Sequence, residues 1–155
     1  MSTYFLDTSA LVKRYLVEVG SAWIIRLTGS AAGNTIIICE ITRVEASAAI
    51  AARQRASGGI SLEARNIAVD LLLRHCDDEY RNVRLTPATL NRAVALTQRH
   101  RLRGYDAVQL ATALSIQDQY RAAHLPALTF VAADDDLLAA ARAEGLPTEN
   151  PNQHA

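Results

Sequence analysis

The stretch Thr3-Tyr4-Phe5-Leu6-Asp7-Thr8-Ser9-Ala10-Leu11-Val12-Lys13-Arg14-Tyr15 decides how the rest of the chain is read. Tyr4, Phe5 and Leu6 favour a strand. The run stops at a lone carboxylate, Asp7, and after Thr8 and Ser9 an apolar helical pattern opens with Ala10, Leu11 and Val12. A strand that ends on Asp and turns directly into a helix puts that carboxylate at the C-terminal edge of a sheet. Open α/β folds bind their ligands in the crevice at that edge. Asp, Ser and Thr are also good helix caps, so this stretch alone leaves a capping role equally open.

Beyond it, a short helix is expected over 10–16, then a break at Glu18, Gly20 and Ser21 and a second helix built on Trp23, Ile24 and Leu27. Thr35-Ile36-Ile37-Ile38-Cys39 is a continuous β-branched run of the kind buried on both faces of a sheet. An Ala-rich helix is expected over 40–55, with Val44, Ala48, Ala51 and Ala52 on one side, and Ser57-Gly58-Gly59 ends it. Ser61 caps a helix to about Arg74, and Asp77-Asp78-Glu79 is read as a solvated turn before a weak strand over 81–85. Thr86-Pro87 has the cap and first-turn proline of a helix start. That helix runs to about His100, and a basic connector leads to Asp106 and a long apolar helix over 107–120. A strand over 128–131 and a helix over 137–144 complete the pattern, and the polar tail 148–155 is expected to fray. Strands alternate with helices without tight hairpins. The predicted fold is a single-domain α/β/α sandwich with a central parallel sheet over 1–147, followed by the tail.

At 155 residues, half of them hydrophobic, the chain can bury one ordinary core. Its 16 basic and 16 acidic residues cancel, so any affinity for nucleic acid has to come from local patches. Cys39 and Cys76 match no metal-ligand spacing and suit a reducing compartment. No apolar run reaches the ~18 residues of a membrane span, and no signal-peptide pattern opens the chain. A cytoplasmic protein without membrane contact is expected.

Four acids stand out by position. Asp7 and Asp134 each end a strand, Asp106 opens a helix, and Glu45 lies one turn inside the helix after the second strand. In a parallel sheet, strand C-termini and the helix N-termini that come after them share one edge, so all four can meet in one cleft. Carboxylates gathered there repel one another, and a hard divalent cation such as Mg²⁺ or Mn²⁺ relieves the repulsion through oxygen ligands. His75, His100, His124 and His154 offer no zinc spacing. Ser9 can add a hydroxyl near the cation. Asp7, Asp106 and Asp134 also suit simple caps, and Glu45 a solvated or salt-bridged side chain.

Four segments together carry a resemblance. They are the stretch Phe5 to Lys13, Glu45 within Ile41-Thr42-Arg43-Val44-Glu45-Ala46, Asp106 within Leu102-Arg103-Gly104-Tyr105-Asp106-Ala107-Val108-Gln109, and Phe130-Val131-Ala132-Ala133-Asp134-Asp135-Asp136. In order and spacing the set resembles PIN-domain proteins, more narrowly the VapC ribonuclease toxins of bacterial type II toxin–antitoxin pairs, over 3 to about 147. The resemblance implies a metal-dependent endoribonuclease using one or two Mg²⁺ or Mn²⁺ ions. It places acids at Asp7, Glu45, Asp106 and Asp134 and a helper hydroxyl at Ser9, with RNA ends left as 5′-phosphate and 3′-hydroxyl. It also implies a VapB-like antitoxin partner and a homodimer. The family often has Thr or Ser two residues before the last acid. Ala132 stands there, so Asp134 is expected to hold a second ion weakly.

Arg99, Arg101 and Arg103 are candidate RNA-phosphate contacts, although cations near a helix C-terminus are also favoured by its dipole. Among the adjacent acids 134–136, Asp134 ranks first and Asp136 second. Two other classes are weighed beside the nuclease. A phospho-aspartyl hydrolase wants Asp where Ser9 stands, and a receiver domain wants a late lysine where the chain has only Lys13. A catalytically idle binding module keeps the fold without needing the acids.

Overall fold

The computed structural model describes residues 1–154. Its five strands are β1 (Thr3–Leu6), β2 (Thr35–Cys39), β3 (Arg81–Val83), β4 (Thr129–Val131) and β5 (Thr148–Glu149). They form one sheet in the order β3-β2-β1-β4-β5, and every neighbouring pair is parallel. The first strand in sequence is therefore the central one. Phe5 pairs with Ile37 on one side and with Phe130 on the other.

Seven helices cover the sheet: α1 (Thr8–Leu11), α2 (Ser21–Thr28), α3 (Thr42–Arg55), α4 (Leu62–Asp78), α5 (Pro87–Arg99), α6 (Gly104–Ala122) and α7 (Asp135–Ala143). Alternation along the strands sends neighbouring side chains to opposite faces. Phe5, Ile37, Cys39 and Phe130 enter one core with Leu96, Leu110 and Leu138 of α5, α6 and α7. Leu6, Ile36, Ile38 and Val131 enter the other with Leu11, Ile24, Ile50 and Leu72 of α1 to α4. Two cores on two faces make the three-layer α/β/α sandwich expected from the alternating pattern. Phe5 and Phe130 stack with ring centres 5.7 Å apart, which fixes the β1–β4 register from the side chains as well as the backbone.

Several local expectations need correction. The first helix stops at Leu11 and tightens into a 3-10 turn over Val12–Arg14. α3 buries Thr42, Ala46 and Ile50, so the side carrying Val44, Ala48 and Ala52 faces outward, with Val44 70% exposed. α4 continues through Asp78, which makes Asp77-Asp78 a helix end, and Asp77 pairs there with Arg43 at 2.8 Å. The third strand is shorter than expected and ends at Val83.

The polar tail does not fray. Thr148–Glu149 extends the sheet beside β4, and the Asn150 side chain caps a 3-10 turn over Pro151–Gln153. His154 then stacks on Trp23 of α2 with ring centres 4.1 Å apart. Pro151 packs so closely on Gly20, which has φ 86°, that a Cβ at Gly20 would collide with the Pro151 carbonyl. Ala155 lies outside the described residues. Among the described residues, no helix is long and apolar enough to cross a membrane.

Candidate active site

Asp7 comes directly after β1 at the middle of the sheet edge, and its N–H donates to the Val131 carbonyl at the end of β4 (3.0 Å). Its Oδ2 accepts from the Ser9 amide (3.1 Å) and the Ser9 hydroxyl (2.6 Å), so Asp7 does cap α1. Capping does not account for its burial: Asp7 is only 4% exposed. Burial raises its pKa to about 6. The two bonds from Ser9 oppose that rise, and the negative charges of Asp106 and Glu45 add to it. Ser9 does more than face the cleft. Its hydroxyl also accepts the Ala133 amide at 2.9 Å, tying the end of β1 to the segment that leads into α7.

Asp106 is the third residue of α6 rather than its cap, a position Arg103 occupies. Its pKa is raised chiefly by burial, with Asp134 adding to the rise and Arg103 opposing it. Asp134 caps α7, its Oδ1 accepting from the Leu137 amide at 3.0 Å. The Arg103 guanidinium lies between the two acids, 3.3 Å from Asp106 Oδ2 and 3.8 Å from Asp134 Oδ2. Asp136 lines the same cleft as Asp106 and Asp134, with His100, Arg101 and Arg103 along it. Asp135 is used elsewhere, accepting from Asn150 at 3.2 Å.

Glu45, in the first turn of α3, points inward. Its Oε1 accepts from the Thr8 hydroxyl (3.0 Å) and from Nε2 of Gln109 (2.8 Å). Neither Thr8 nor Gln109 is expected at the site from the sequence. Gln109 lies three residues beyond Asp106, and helical spacing puts both on one face of α6. That spacing is the available signal, hidden in a helix otherwise read as apolar.

The other candidates disperse. Arg99 is held by Glu144 at 2.6 Å, while Arg101 and Arg103 border the cleft. Lys13, which a receiver would need beside the acceptor Asp, is buried against Glu18 at 3.0 Å.

Asp7 feels the charges of Glu45 and Asp106, and Asp106 feels Asp134, so the four acids form one electrostatic unit along the sheet edge. Among the described residues, no three acidic, His or Cys side chains are grouped as a ready-made metal cluster. The donor chemistry still fits a hard divalent cation, because every donor is a carboxylate oxygen and their mutual repulsion falls when a cation binds. In the arrangement seen, Arg103 supplies positive charge to two of the four.

A family model for the PIN domain matches residues 4–143, and the chain belongs to the PIN-domain family. Solved structures share the fold. VapBC2 from Rickettsia felis, bound to a DNA fragment from its promoter, matches with TM-score 0.62 and 16% identity over 96% of this chain and 98% of that one. PAE2754 from Pyrobaculum aerophilum matches with TM-score 0.62 and 18% identity over 99% and 93%. A toxin–antitoxin complex from Klebsiella pneumoniae matches with TM-score 0.57 and 17% identity over 96% and 97%. No curated protein matches the chain.

Proposed function

We propose that this chain is a VapC-like toxin, a Mg²⁺- or Mn²⁺-dependent endoribonuclease of the cytoplasm held in check by a small VapB-like antitoxin. Membership of the PIN-domain family and fold neighbours that are toxin–antitoxin proteins support the reading. The observation that carries it is Asp7: a carboxylate buried at the C-terminus of the central strand, its pKa raised by burial and by the charges of two other acids. Carboxylates raised by burial and by like charges cluster at functional sites.

Asp7 and Asp106 would be the first-choice ligands for the cation, Glu45 would hold it or its water, and Asp134 would serve a second, weaker position, with Asp136 behind it. A bound ion would neutralise these acids and supply an activated water for attack on an RNA phosphodiester. Ser9 orients Asp7 through its 2.6 Å bond, and Thr8 orients Glu45. Arg101 and Arg103 take the phosphates of the incoming strand, Arg103 leaving Asp106 and Asp134 to do so. An antitoxin Arg entering the same acids would block the cleft. Self-association is assigned to the apolar groove between α5 and α6, lined by Leu90, Val94, Tyr105 and Val108.

Expression in a bacterium, wild type against Asp7→Ala, tests the proposal. Wild type is expected to arrest growth and to leave new RNA 5′-phosphate ends, while Asp7→Ala does neither. In vitro, EDTA should abolish cleavage of structured RNA, and persistent cleavage in EDTA refutes the metal mechanism. One observation favours the idle binding module: no metal cluster is grouped among the described residues. No growth arrest, together with no Mn²⁺ binding, would establish that module instead.

A further inference from the structure

Gln109 is 1% exposed, in the middle of α6, among Ala107, Leu110 and Ala111, all fully buried. Its Nε2 lies 2.8 Å from Glu45 Oε1, 2.8 Å from Thr42 Oγ1 and 3.2 Å from Thr8 Oγ1. An amide nitrogen carries two hydrogens, and the two shorter contacts take them. Its Oε1 is buried with no hydrogen-bond partner among the described residues.

That orphaned oxygen is informative, because a rotated amide would satisfy it. Turned over, Oε1 could accept from the hydroxyl of Thr42, since the single hydrogen of Thr8 is already spent on Glu45. The turn would also set two acceptor oxygens, Gln109 Oε1 and Glu45 Oε1, against each other at 2.8 Å. The carboxylate therefore decides the orientation, and an unpaired carbonyl is the cost. Leu or Met at this position would avoid that cost among neighbours that include Ala107, Leu110 and Ala111. A buried polar side chain kept in that condition calls for a role outside stability.

We propose that Gln109 is a positioning residue that fixes Glu45 with one oxygen spent and the other presented to the cleft. Both bonds to Glu45, from Thr8 and from Gln109, fall on Oε1, and among the described residues Oε2 receives none. The free oxygen is thereby aimed at the cation or its water, and the carboxylate cannot swing back to a helix dipole or a surface cation. Through Thr42, the first residue of α3, the same amide grips the end of the helix that carries Glu45. Gln109 also sits one turn from Asp106 on α6, so a single helix carries one acid and orients another.

The inference rests on the nuclease reading, and Mn²⁺ binding by calorimetry separates the two. If the wild type binds no Mn²⁺, the metal reading fails and the inference with it. If the wild type binds, Gln109→Leu is expected to weaken Mn²⁺ affinity roughly 10–100-fold, the usual effect of removing a group that orients a ligand, without lowering the metal-free melting temperature. In a Glu45→Gln background, Gln109→Leu should change affinity no further, because its route to the cation is gone. Unchanged Mn²⁺ affinity in Gln109→Leu, or equal losses with and without Glu45, would overturn the proposal.

Discussion

At Asp7 the burial that brings the carboxylate under its neighbours' charges also makes its ionisation costly, and the cost is measurable through pH. Its pKa rises from 3.8 to about 6 on folding, so the native state holds a proton more firmly than the unfolded chain. In metal-free buffer the contribution of Asp7 to stability is therefore full below about pH 4 and lost as pH climbs through about 6. A shift of about two units is worth on the order of 3 kcal/mol at most. Asp7→Asn stays neutral, so in EDTA it should melt several degrees above wild type at about pH 8, with the gap closing towards about pH 4. Added Mn²⁺ should reverse the order at the alkaline end, since only the wild type gains binding energy. A gap independent of pH would show that Asp7 does not titrate where its surroundings place it. The four acids are legible in the sequence because strand ends and helix starts can be read from pattern. Thr8 and Gln109 are not, because their role is set by which helices cross, and that is decided by contacts across the whole sheet.

The elements show the same division between local and distant causes. β1, β2 and the start of α5 are legible because β-branched runs and a Thr-Pro cap act locally. The buried side of α3 is not. With Ala, Ser and Val distributed around it, its composition hardly distinguishes two faces, and packing on α4 and the sheet selects Ala46 and Ile50. β5 escapes a reading of pattern because two residues carry no periodicity. Its place is set by the residues beyond it: Asn150, Pro151 against Gly20, and His154 on Trp23. Truncation after Pro147 should thus strip an edge strand and uncover Trp23. The expected loss is about 2–3 kcal/mol, read as roughly 5–10 °C in melting temperature. A truncated chain that melts with the full-length protein would return the tail to the frayed state its polarity suggested.

For the molecule as a whole, the self-association proposed above rests on the apolar groove between α5 and α6. Val94 is 63% exposed and Tyr105 65%, side by side with Leu90 and Val108. Val94→Asp should convert a dimer to a monomer by light scattering, whereas Val44→Asp, exposed on α3, should not. A monomeric wild type would refute the assignment. The placement of β1 has a consequence in time. Asp7 is made long before its partners: its N–H waits for Val131 and the Ser9 hydroxyl for Ala133, 124 residues further along the chain. At about 5–20 residues per second, that separation takes roughly 6–25 s to synthesise, and the sheet cannot close at its centre before then. For the nuclease proposed above, that order would keep the acids of the cleft apart until β4 has been made.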